Sequence, residues 1–403
     1  MSRIRDVAVI GAGAAGLAAA LGAARKGASV VAAERLPKPG KKILVTGGGR
    51  CNLSHEKIAA ADFTSTDPAL VASVLSRVGP DDILKFFHEL GLSTVSDGGR
   101  VYPAAGQAAS VLKVLLMEAE RRGVAQELEF EATAVDSRTG GFTVTSRDGR
   151  TIEARRVVLA GGGRSYPALG ANGSGYELAR KWGHRIILPV PSAVPLLAKD
   201  PLCHFLQGQR IRARAAALLG GKTVREADGD LLFTAYGLSG TAVLDVSECL
   251  SIALHRDGRS DAALSADLVP FMTVDQLAAE IRRRLQAGWA ESDLLSGILP
   301  EKFAVLARAR PGAEGRPDTA AALAAVLKNK RFAVHGTRGW NEAEFTSGGV
   351  DAREVEPGTL ESKRCRGLHL AGEVLDVQGQ RGGYNLAWAW ASGLIAGGEA
   401  AKQ

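Results

Sequence analysis

Residues able to perform chemistry are concentrated in the stretch TGGGRCN, Thr46–Asn52. Three consecutive glycines can turn their backbone N–H groups toward one anion and so form a nest that needs no side chain. Lys42 precedes these glycines and Arg50 follows them, which adds positive charge beside the nest. We therefore predict a clamp on the diphosphate of a dinucleotide, made of Lys42, Thr46, Gly47, Gly48, Gly49, Arg50, Cys51 and Asn52.

The thiol of Cys51 has two interpretations that the sequence leaves open. It is either a small side chain packed among backbone turns or a proton donor in catalysis. A dithiol relay within this segment is excluded, because the other cysteines are remote in sequence: Cys203, Cys249 and Cys365. Because no CxxC pair or zinc spacing with histidine occurs, no metal site or disulfide framework is predicted.

The stretch GQRGGYN near the C-terminus contributes two further candidate catalytic residues, Tyr384 and Arg381. A phenol could donate a proton and a guanidinium could hold an anionic substrate, although loop packing explains both residues equally well. Trp388 and Trp390 are interpreted as helix core. The histidines are scattered and show no Ser/His/Asp arrangement, so hydrolase chemistry is not expected.

The elements that must position these residues begin with a predicted strand, turn, helix and strand. Arg5–Ile10 is predicted as a strand, Leu17–Lys26 as an alanine-rich helix, and SVVAAE as a strand ending at Glu34. The intervening glycines match GxGxxG, whose small residues let a pyrophosphate approach the helix N-terminus, and the acid can bind a ribose hydroxyl. The predicted cofactor contacts here are Gly11, Gly13, Ala14, Ala15, Gly16, Glu34 and Arg35.

A second glycine turn follows a predicted hairpin and a further strand. Ala134–Ser137 and Phe142–Ser146 flank the turn TGG, and the strand ARRVVLA then runs into three glycines that start at Gly161. A glycine turn directly after a buried strand indicates another close backbone approach to the same long ligand. The predicted cofactor contacts of this region are Ala132, Ala160, Gly161 and Gly162.

The composition of the sequence changes at PVPSAVPLL, whose prolines exclude a helix and indicate a domain boundary. RIRARAAALLGGKTV and DLLFTAYGLSGTAVLDVS are predicted as β runs, whereas residues 273–329 show helical periodicity. We therefore expect four parts. Residues 1–188 and 335–403 form one interrupted domain, residues 189–268 form a β-rich insert and residues 269–334 form a helical insert.

Length and composition limit the class of protein. With 403 residues, 46% of them apolar and 23% charged, the chain can form two or three globular domains, which excludes disordered and fibrous classes. The uncharged stretch Val7–Ala24 is as long as a short membrane span, but it carries the phosphate-turn pattern, so neither a span nor a signal peptide is predicted. Unpaired cysteines favour the cytoplasm. The net charge of +7 suits a polyanionic partner or merely an anionic cofactor.

Several motifs together resemble the BaiN/RdsA-type bacterial NAD(P)/FAD-dependent flavoproteins, over a stretch from about Asp6 to Ala400. They are GAGAAG, KKILVTGGGRCN, GRVYP, AGGGRSYPALG, LLFTAYGLSGTAVLDVS, TSGGV and GLHLAGEVLDVQGQRGGYNLAWAWASG. The resemblance implies an α/β fold in which a glutathione-reductase-type FAD-binding Rossmann-like domain is interrupted by a β-barrel-like portion and a small helical portion. It also implies FAD contacts in the AGE motif and the following helix, at Gly372, Glu373, Gly382, Gly383, Tyr384, Asn385 and Leu386.

The function implied by the resemblance is an FAD-dependent oxidoreductase that takes hydride from NAD(P)H, a transient reductant, and reduces a conjugated C=C bond. The substrate stays open between uracil in ribosomal RNA, which the basic charge slightly favours, and a small steroid-like enone. A non-catalytic FAD protein with a redox or interaction role is a third alternative. Arg164, Ser174 and Thr241 depart from the family pattern.

Basic residues of the insert are the candidate RNA contacts, although they equally suit a solvated face. They are Arg210, Arg212, Arg214, Arg282, Arg283, Arg284, Lys328, Lys330 and Arg331. No membrane partner is expected, and the sequence does not indicate an oligomeric state.

Overall fold

The computed structural model describes residues 4–308 and 319–402, and the chain divides into two compact units. The first unit consists of Met1–Pro189 and Phe345–Gln403. The second unit, Val190–Glu344, is inserted between those two parts. Because the chain leaves the first unit and later returns to it, residues from both ends of the sequence share one hydrophobic core.

Most strands belong to two sheets, one in each unit. In chain order they are β1 (Arg5–Ile10), β2 (Val30–Ala33), β3 (Ser54–His55), β4 (Phe63–Ser65), β5 (Thr94–Asp97), β6 (Arg100–Pro103), β7 (Ala125–Glu127), β8 (Ala132–Arg138), β9 (Gly141–Ser146), β10 (Thr151–Leu159), β11 (Ile186–Ser192), β12 (Leu196–Ala198), β13 (Arg210–Leu219), β14 (Lys222–Thr234), β15 (Gly237–Ser239), β16 (Ala262–Asp267), β17 (Lys330–Thr337), β18 (Phe345–Val350), β19 (Leu368–Leu370) and β20 (Val377–Gly379).

The α-helices include two that frame the first unit at its beginning and end. In chain order the helices are α1 (Ala14–Ala24), α2 (Lys41–Val45), α3 (Pro68–Arg77), α4 (Pro80–Glu89), α5 (Ala108–Arg121), α6 (Ser174–Lys181), α7 (Pro201–Phe205), α8 (Thr241–His255), α9 (Val274–Gln286), α10 (Ala304–Arg308), α11 (Thr319–Lys328) and α12 (Tyr384–Ala400). Short 3-10 turns follow α2 at Thr46–Gly49 and β19 at Gly372–Val374.

A seven-stranded sheet forms the centre of the first unit, with the order β7-β2-β1-β10-β9-β8 and with β19 also pairing with β10. β7, β2, β1, β10 and β19 run parallel, whereas β9 and β8 form the predicted antiparallel hairpin. The carboxyl ends of the parallel strands meet at one edge, where ligands of such sheets bind. The predicted helix Leu17–Lys26 begins earlier, at Ala14, and ends at Ala24.

Helices α1 and α12 pack with their backbones in contact, because glycine occupies the points of closest approach. A Cβ on Gly393 would lie 2.4 Å from the carbonyl O of Ala15, and a Cβ on Gly397 would lie 1.9 Å from the carbonyl O of Ala19. These distances leave no room for a side chain. The first and last helices of the chain therefore form one tightly packed pair beside the sheet.

The second unit contains a closed barrel with the order β12-β15-β14-β13-β16-β17, and its helices share one hydrophobic cluster with the barrel. The α/β fold with a barrel-like and a helical portion is confirmed. The predicted β run through TAVLDVS is wrong, because Thr241–His255 forms α8. Its buried Val243, Val246 and Leu250 recur at helical spacing, so packing on the barrel outweighs the β propensity of valine.

Residues 4–308 and 319–402 contain no helix that is both long and apolar enough to cross a membrane. Within these two ranges, no group of three or more His, Cys, Asp or Glu side chains is arranged to hold a metal ion. All four cysteines are free thiols.

Candidate functional site

The turn between β1 and α1 requires glycine at two positions. Gly11 has a φ of +97°, and a Cβ there would lie 2.5 Å from the carbonyl O of Ala160. A Cβ on Gly16 would lie 1.8 Å from the carbonyl O of Gly11. The N–H of Ala160 donates to the carbonyl O of Ile10 at 2.9 Å. The structure thus brings the two predicted glycine turns side by side at the start of α1.

Glu34 lies directly after β2, beside the same turn. Its Oε2 accepts the N–H of Ala12 at 2.9 Å, and its Oε1 accepts the N–H of Leu36 at 2.9 Å. Only 8% of the residue is exposed. Each carboxylate oxygen can accept a second hydrogen bond, so Glu34 keeps the capacity to bind a ribose hydroxyl.

Arg35 and Ala132, also predicted as cofactor contacts, belong to segments next to Glu34. Nη1 of Arg35 donates to the carbonyl O of Gly170 at 3.4 Å. The N–H of Phe130 donates to the carbonyl O of Glu34 at 2.8 Å, and β8 begins shortly afterwards at Ala132. The bond from Phe130 holds the segments after β2 and β7 together at the carboxyl edge of the sheet, and the bond from Arg35 joins them to the loop that contains Gly170.

A polar cluster of four residues joins distant parts of the first unit. Nζ of Lys42 lies 2.9 Å from Oε2 of Glu373 and 2.7 Å from Oγ of Ser165. Oε1 of Glu373 accepts the N–H of Thr346 at 2.8 Å and the hydroxyl of Ser165 at 3.2 Å. We refer to Lys42, Ser165, Thr346 and Glu373 as the lysine–glutamate cluster. It fixes the AGE motif against α2, β18 and the second glycine turn.

The carboxyl of Glu373 is ionised in this cluster. Burial favours its neutral form, but the charge of Lys42 and the hydrogen bonds from Lys42, Thr346 and Ser165 outweigh burial and lower the pKa of Glu373. A Cβ on Gly163 would lie 2.3 Å from Oγ1 of Thr346 and 2.9 Å from the carboxyl carbon of Glu373. The third glycine of the AGGG turn is therefore required by the cluster.

The TGGGRCN loop turns sharply through left-handed backbone. The φ angles of Gly47, Gly48, Gly49 and Cys51 are +57°, +65°, +88° and +59°. Glycine adopts this conformation without strain, whereas cysteine does not. The three glycines are exposed, and the N–H of Cys51 donates to the carbonyl O of Thr46 at 2.9 Å. This bond holds the strained residue in place.

The thiol of Cys51 is enclosed by the core of the first unit. Burial raises its pKa to about 11, although the hydrogen bond with Thr46 acts in the opposite direction. The thiol is therefore neutral at pH 7. A general acid must come within hydrogen-bonding distance of the group that it protonates, so this enclosed position favours the packed-side-chain interpretation over proton donation.

The turn before α12 is built on Gly382 and Gly383, whose φ angles are +122° and +103°. A Cβ on Gly383 would lie 2.3 Å from the carbonyl O of Ser54 and 2.8 Å from Oδ1 of Asn52. This Oδ1 is buried and has no hydrogen-bond partner among the described residues. The end of the TGGGRCN loop thus lies at the N-terminus of α12 and offers a buried acceptor to a ligand.

Asn385 and Leu386 support this turn rather than face an open surface. Oδ1 of Asn385 accepts the N–H of Gly379 at 2.9 Å, and its Nδ2 donates to the carbonyl O of Gly379 at 2.9 Å. Leu386 packs partly buried against the core. Arg381 lies in the loop that the amide of Asn385 closes.

Tyr384, the first residue of α12, stacks on His55 with ring centroids 5.0 Å apart and planes inclined by 20°. Phe63 meets the same phenol ring edge-on at 6.2 Å. Burial and the charge of Asp62 raise the pKa of Tyr384, although Arg100 lowers it. The phenol therefore keeps its proton at neutral pH and can donate it.

Gly372, in the AGE motif, forms two hydrogen bonds with α12. Its N–H donates to Oγ of Ser392 at 2.9 Å, and its carbonyl O accepts the indole N–H of Trp388 at 3.2 Å. Gly372 has a φ of +76°, and a Cβ on Gly372 would lie 2.5 Å from Cβ of Ala15. Gly372 and Ala15, predicted as contacts from opposite ends of the chain, are neighbours at the start of α1.

Sequence reasoning missed three hydroxyl residues that position this site: Ser165, Thr346 and Ser392. A single hydroxyl carries no periodic or spacing signal. Ser165 and Thr346 nevertheless lie inside the family motifs AGGGRSYPALG and TSGGV, which was the available signal.

A serine, a histidine and an acid lie together, an arrangement the sequence did not suggest. Nε2 of His184 is 2.7 Å from Oγ of Ser362, and Nδ1 is 3.1 Å from Oε2 of Glu354. Oγ of Ser362 also accepts the N–H groups of Arg364 and Cys365, both at 3.0 Å, and only 5% of the residue is exposed. This buried hydroxyl caps a turn and offers no access to a hydrolase substrate.

Ion pairs neutralise many of the basic residues in the second unit that were candidate RNA contacts. Arg214 binds Asp228 through two hydrogen bonds of 2.8 and 3.1 Å, and Arg210 lies 3.9 Å from Asp230. Further pairs are Arg283–Glu280, Arg284–Glu280, Lys328–Asp267 and Lys330–Asp200. The exposed Arg212 faces Asp230 in the register of β13 and β14. These acids reduce the positive potential available to phosphates.

The residues of the first unit fit FAD. The N-terminus of α1 meets a glycine turn without intervening side chains, which suits a diphosphate. Glu34 retains acceptor capacity for a ribose hydroxyl. The buried, unsatisfied Oδ1 of Asn52 lies at the start of α12, where it can accept the ring N–H of a flavin.

Comparison with known proteins gives full-length relatives. The family model described as HI0933-like protein Rossmann domain matches residues 5–399. The 3-dehydro-bile acid delta(4,6)-reductase of Clostridium scindens is 38% identical over 408 residues, which cover 98% of this chain and 99% of the relative. The ribosomal RNA dihydrouridine synthase of Escherichia coli is 31% identical over 400 residues, which cover 96% of each chain.

Solved structures with the same fold are more distant in sequence. The open conformation of a flavocytochrome c3 fumarate reductase has a TM-score of 0.52 at 18% identity, covering 99% of this chain and 78% of that chain. The 3-ketosteroid-delta4-(5alpha)-dehydrogenase of Rhodococcus jostii RHA1 has a TM-score of 0.52 at 18% identity, covering 100% and 98%. These likenesses show the fold alone. The chain belongs to the HI0933-like Rossmann family of FAD-binding oxidoreductases, which confirms the predicted BaiN/RdsA-type relationship.

Proposed function

We propose that this flavoenzyme takes hydride from NAD(P)H and reduces a conjugated C=C bond of a small steroid-like enone. The observation that carries the proposal is the 38% identity, over nearly the full length of both chains, to an enzyme named as a 3-dehydro-bile acid delta(4,6)-reductase. The ion pairs of the second unit add support, because they remove much of the basic surface that had favoured RNA.

The residues of the first unit have distinct tasks in this proposal. The chemistry that FAD supplies when bound is hydride acceptance from NAD(P)H and hydride delivery to carbon. The turn Gly11–Gly16 and Glu34 bind and orient the cofactor, and the lysine–glutamate cluster holds the AGE motif rigid beside it. Rigid supporting contacts matter because small displacements of reacting groups slow a reaction strongly.

Tyr384 is the proton donor in this proposal. The phenol keeps its proton at neutral pH, and it stands at the N-terminus of α12, whose positive end stabilises negative charge that develops nearby. Cys51 is the weaker donor, because its side chain is fully buried. Arg381, in the loop that leads into α12 and Tyr384, is assigned to substrate binding.

Uracil in ribosomal RNA is the second candidate substrate. It is favoured by the net charge of +7 and by relatives named as ribosomal RNA dihydrouridine synthases from Escherichia coli and Haemophilus influenzae, at 31% and 30% identity. The cytoplasm, where NAD(P)H is available to either reaction, stays the predicted compartment.

The decisive experiment uses the purified FAD-loaded protein without oxygen. Bleaching of the flavin by NADH or NADPH, followed by reoxidation with a 3-oxo-Δ4,6 steroid, supports the proposal. Bleaching without reoxidation by the steroid, together with loss of dihydrouridine from ribosomal RNA on gene deletion, supports the RNA substrate instead. Failure of both nicotinamides to bleach the flavin refutes the reductase function and favours a non-catalytic role.

Two variants separate the proton donors in the same assay. Tyr384→Phe is expected to slow reoxidation by the steroid by about 100-fold or more, the usual contribution of general acid catalysis, while bleaching by NAD(P)H stays unchanged. Cys51→Ala serves as the comparison and is expected to retain turnover. The reverse pattern would assign proton donation to Cys51.

A further inference from the structure

The small sheet β3-β6-β5 has a face on which cations and rings lie together. In its register, His55 is opposite Arg100 and Val95 is opposite Tyr102. Residues that are directly opposite, or two apart on one strand, point to the same side of a sheet. His55, Arg100 and Tyr102 therefore share one face.

Two side chains from the predicted cofactor motifs cover this face. The guanidinium carbon of Arg50, in the TGGGRCN loop, lies 4.0 Å from the centroid of the Tyr102 ring. Tyr384, at the start of α12, stacks on His55. We refer to Arg50, His55, Arg100, Tyr102 and Tyr384 as the cationic–aromatic face. It therefore joins the TGGGRCN loop to the proposed proton donor.

Neither arginine of this face is neutralised. Elsewhere in the first unit, arginines such as Arg25 and Arg77 contact glutamates at 3.0 and 2.7 Å. Arg50 and Arg100 are exposed, and no carboxylate of the described part of the chain lies within 4.0 Å of either guanidinium. This holds even for Asp97, which is opposite Arg100 in the β5–β6 register.

The neighbouring backbone adds to the positive field at this face. A Cβ on Gly382 would lie 3.4 Å from Nε of Arg100, so Arg100 is close to the turn that opens α12. The N-terminus of this helix is electropositive. The guanidinium of Arg50 lies over the ring of Tyr102, and its N–H groups can form a bidentate bond to an anion.

We propose that the cationic–aromatic face binds anionic oxygens, carboxylate or phosphate, of the second ligand that reacts at this site. The proposal rests on the proposed reductase function, and it moves Arg50 from the predicted diphosphate clamp to recognition of this second ligand. Two sources of the anion share this chemistry: a carboxylate on the side chain of the enone and the phosphates of NAD(P)H. Tyr102 and His55 hold the cations and the phenol in place beside it.

The test measures equilibrium binding to the FAD-loaded protein, through the absorbance change of the flavin and without turnover. The probes are NADP⁺, a 3-oxo-Δ4 steroid with a side-chain carboxylate, and the methyl ester of that steroid. Arg50→Gln and Arg100→Gln are each expected to weaken binding of an anionic probe by about tenfold or more, while binding of the ester changes less than about twofold. The matched control is Arg366→Gln, an exposed arginine of the same unit outside the face.

The outcomes separate the two sources of the anion. Weaker binding of the steroid carboxylate alone assigns the face to the substrate, and weaker binding of NADP⁺ alone assigns it to the nicotinamide. The proposal is overturned if both variants bind both anionic probes as tightly as the unmodified protein does. It is also overturned if the unmodified protein binds neither anionic probe. Intact arginine-dependent binding with no reduction of the enone would refute the proposed enone substrate and leave the anion site standing.

A second measurement uses only the unmodified protein, so its result cannot come from a variant that fails to fold or to retain FAD. In the unmodified protein, affinity for the anionic probe should fall several-fold between low and high salt, because exposed charges are screened. Affinity for the methyl ester should not fall. An equal salt response of acid and ester would contradict recognition of the anion by Arg50 and Arg100.

Discussion

Replacing Glu373 by Gln is expected to destabilise the first unit, because the lysine–glutamate cluster would lose its only negative charge. The substitution preserves the size of the side chain and an acceptor for the N–H of Thr346 at 2.8 Å. What it removes is the ion pair with Lys42 at 2.9 Å. Lys42 would then keep its charge in a half-buried position without a carboxylate partner.

The magnitude follows from the burial of this pair. Hydrogen bonds to charged groups contribute about 1.5–3 kcal/mol, and exposure of 26% and 23% of the two side chains screens them only partly, so we expect a loss of about 2 kcal/mol. In a unit of this size, such a loss lowers the midpoint of thermal unfolding by about 4–8 °C. Because the pKa of Glu373 is lowered in the folded state, the contribution is present at neutral pH and is lost as the pH falls through that lowered value.

Thermal unfolding of the FAD-loaded protein, followed by the fluorescence of the buried Trp388 and Trp390, measures this effect. Glu177→Gln is the matched control, because Glu177 forms an exposed ion pair with Arg180 in the same unit. Its midpoint should stay within about 1 °C of the unmodified protein. Adding Lys42→Met to Glu373→Gln should recover part of the loss, since no unpaired charge remains. Equal midpoints for the two glutamine variants would refute the reasoning.

Three further predictions concern other parts of the first unit. Gly383→Ala should abolish FAD retention, because its Cβ would lie 2.3 Å from the carbonyl O of Ser54 at a φ of +103°, whereas Gly358→Ala, in open space, should retain FAD. Iodoacetamide at pH 8 should leave Cys51 of the native protein unmodified, since burial raises its pKa to about 11; rapid labelling would contradict this. Burial lowers the pKa of His184 in the folded protein. Below about pH 6.5 the unfolded chain therefore binds a proton at this histidine that the folded protein does not bind, and the free energy of unfolding decreases as the pH falls. His184→Gln should flatten this dependence of the unfolding midpoint between pH 7 and pH 5, and an unchanged slope would exclude His184 as its source.

Local patterns predicted the first strand and the glycine turns of the first unit well. Strand Arg5–Ile10 and the turn beginning at Gly11 follow from apolar runs and from glycines that no other residue can replace, so short-range sequence is sufficient. The lysine–glutamate cluster was not predictable in this way. Ser165 and Glu373 meet only because β10 and β19 are neighbours in the sheet, a pairing that no local pattern encodes.

Two expectations about the second unit show where local patterns mislead. The stretch from Thr241 has β-branched residues typical of a strand, yet its buried positions serve a helix packed on the barrel. The arginines of strand β13 were predicted as RNA contacts without considering the neighbouring strand β14. Asp228 and Asp230 are visible in the sequence, but only the hairpin register places them opposite Arg214 and Arg212, where they cancel much of the positive field.

The glycine contacts between α1 and α12 have a consequence for protein synthesis. Helix α12 is translated after α1 and after the whole second unit, so the face of α1 that Gly393 and Gly397 approach has no packing partner until α12 has been made. The nascent chain must therefore leave this face of α1 uncovered while all of the second unit is being made. A premature stop before Gly393 would remove the surface on which α1 packs, and such a chain should be a substrate for chaperones and proteases rather than an enzyme of reduced activity.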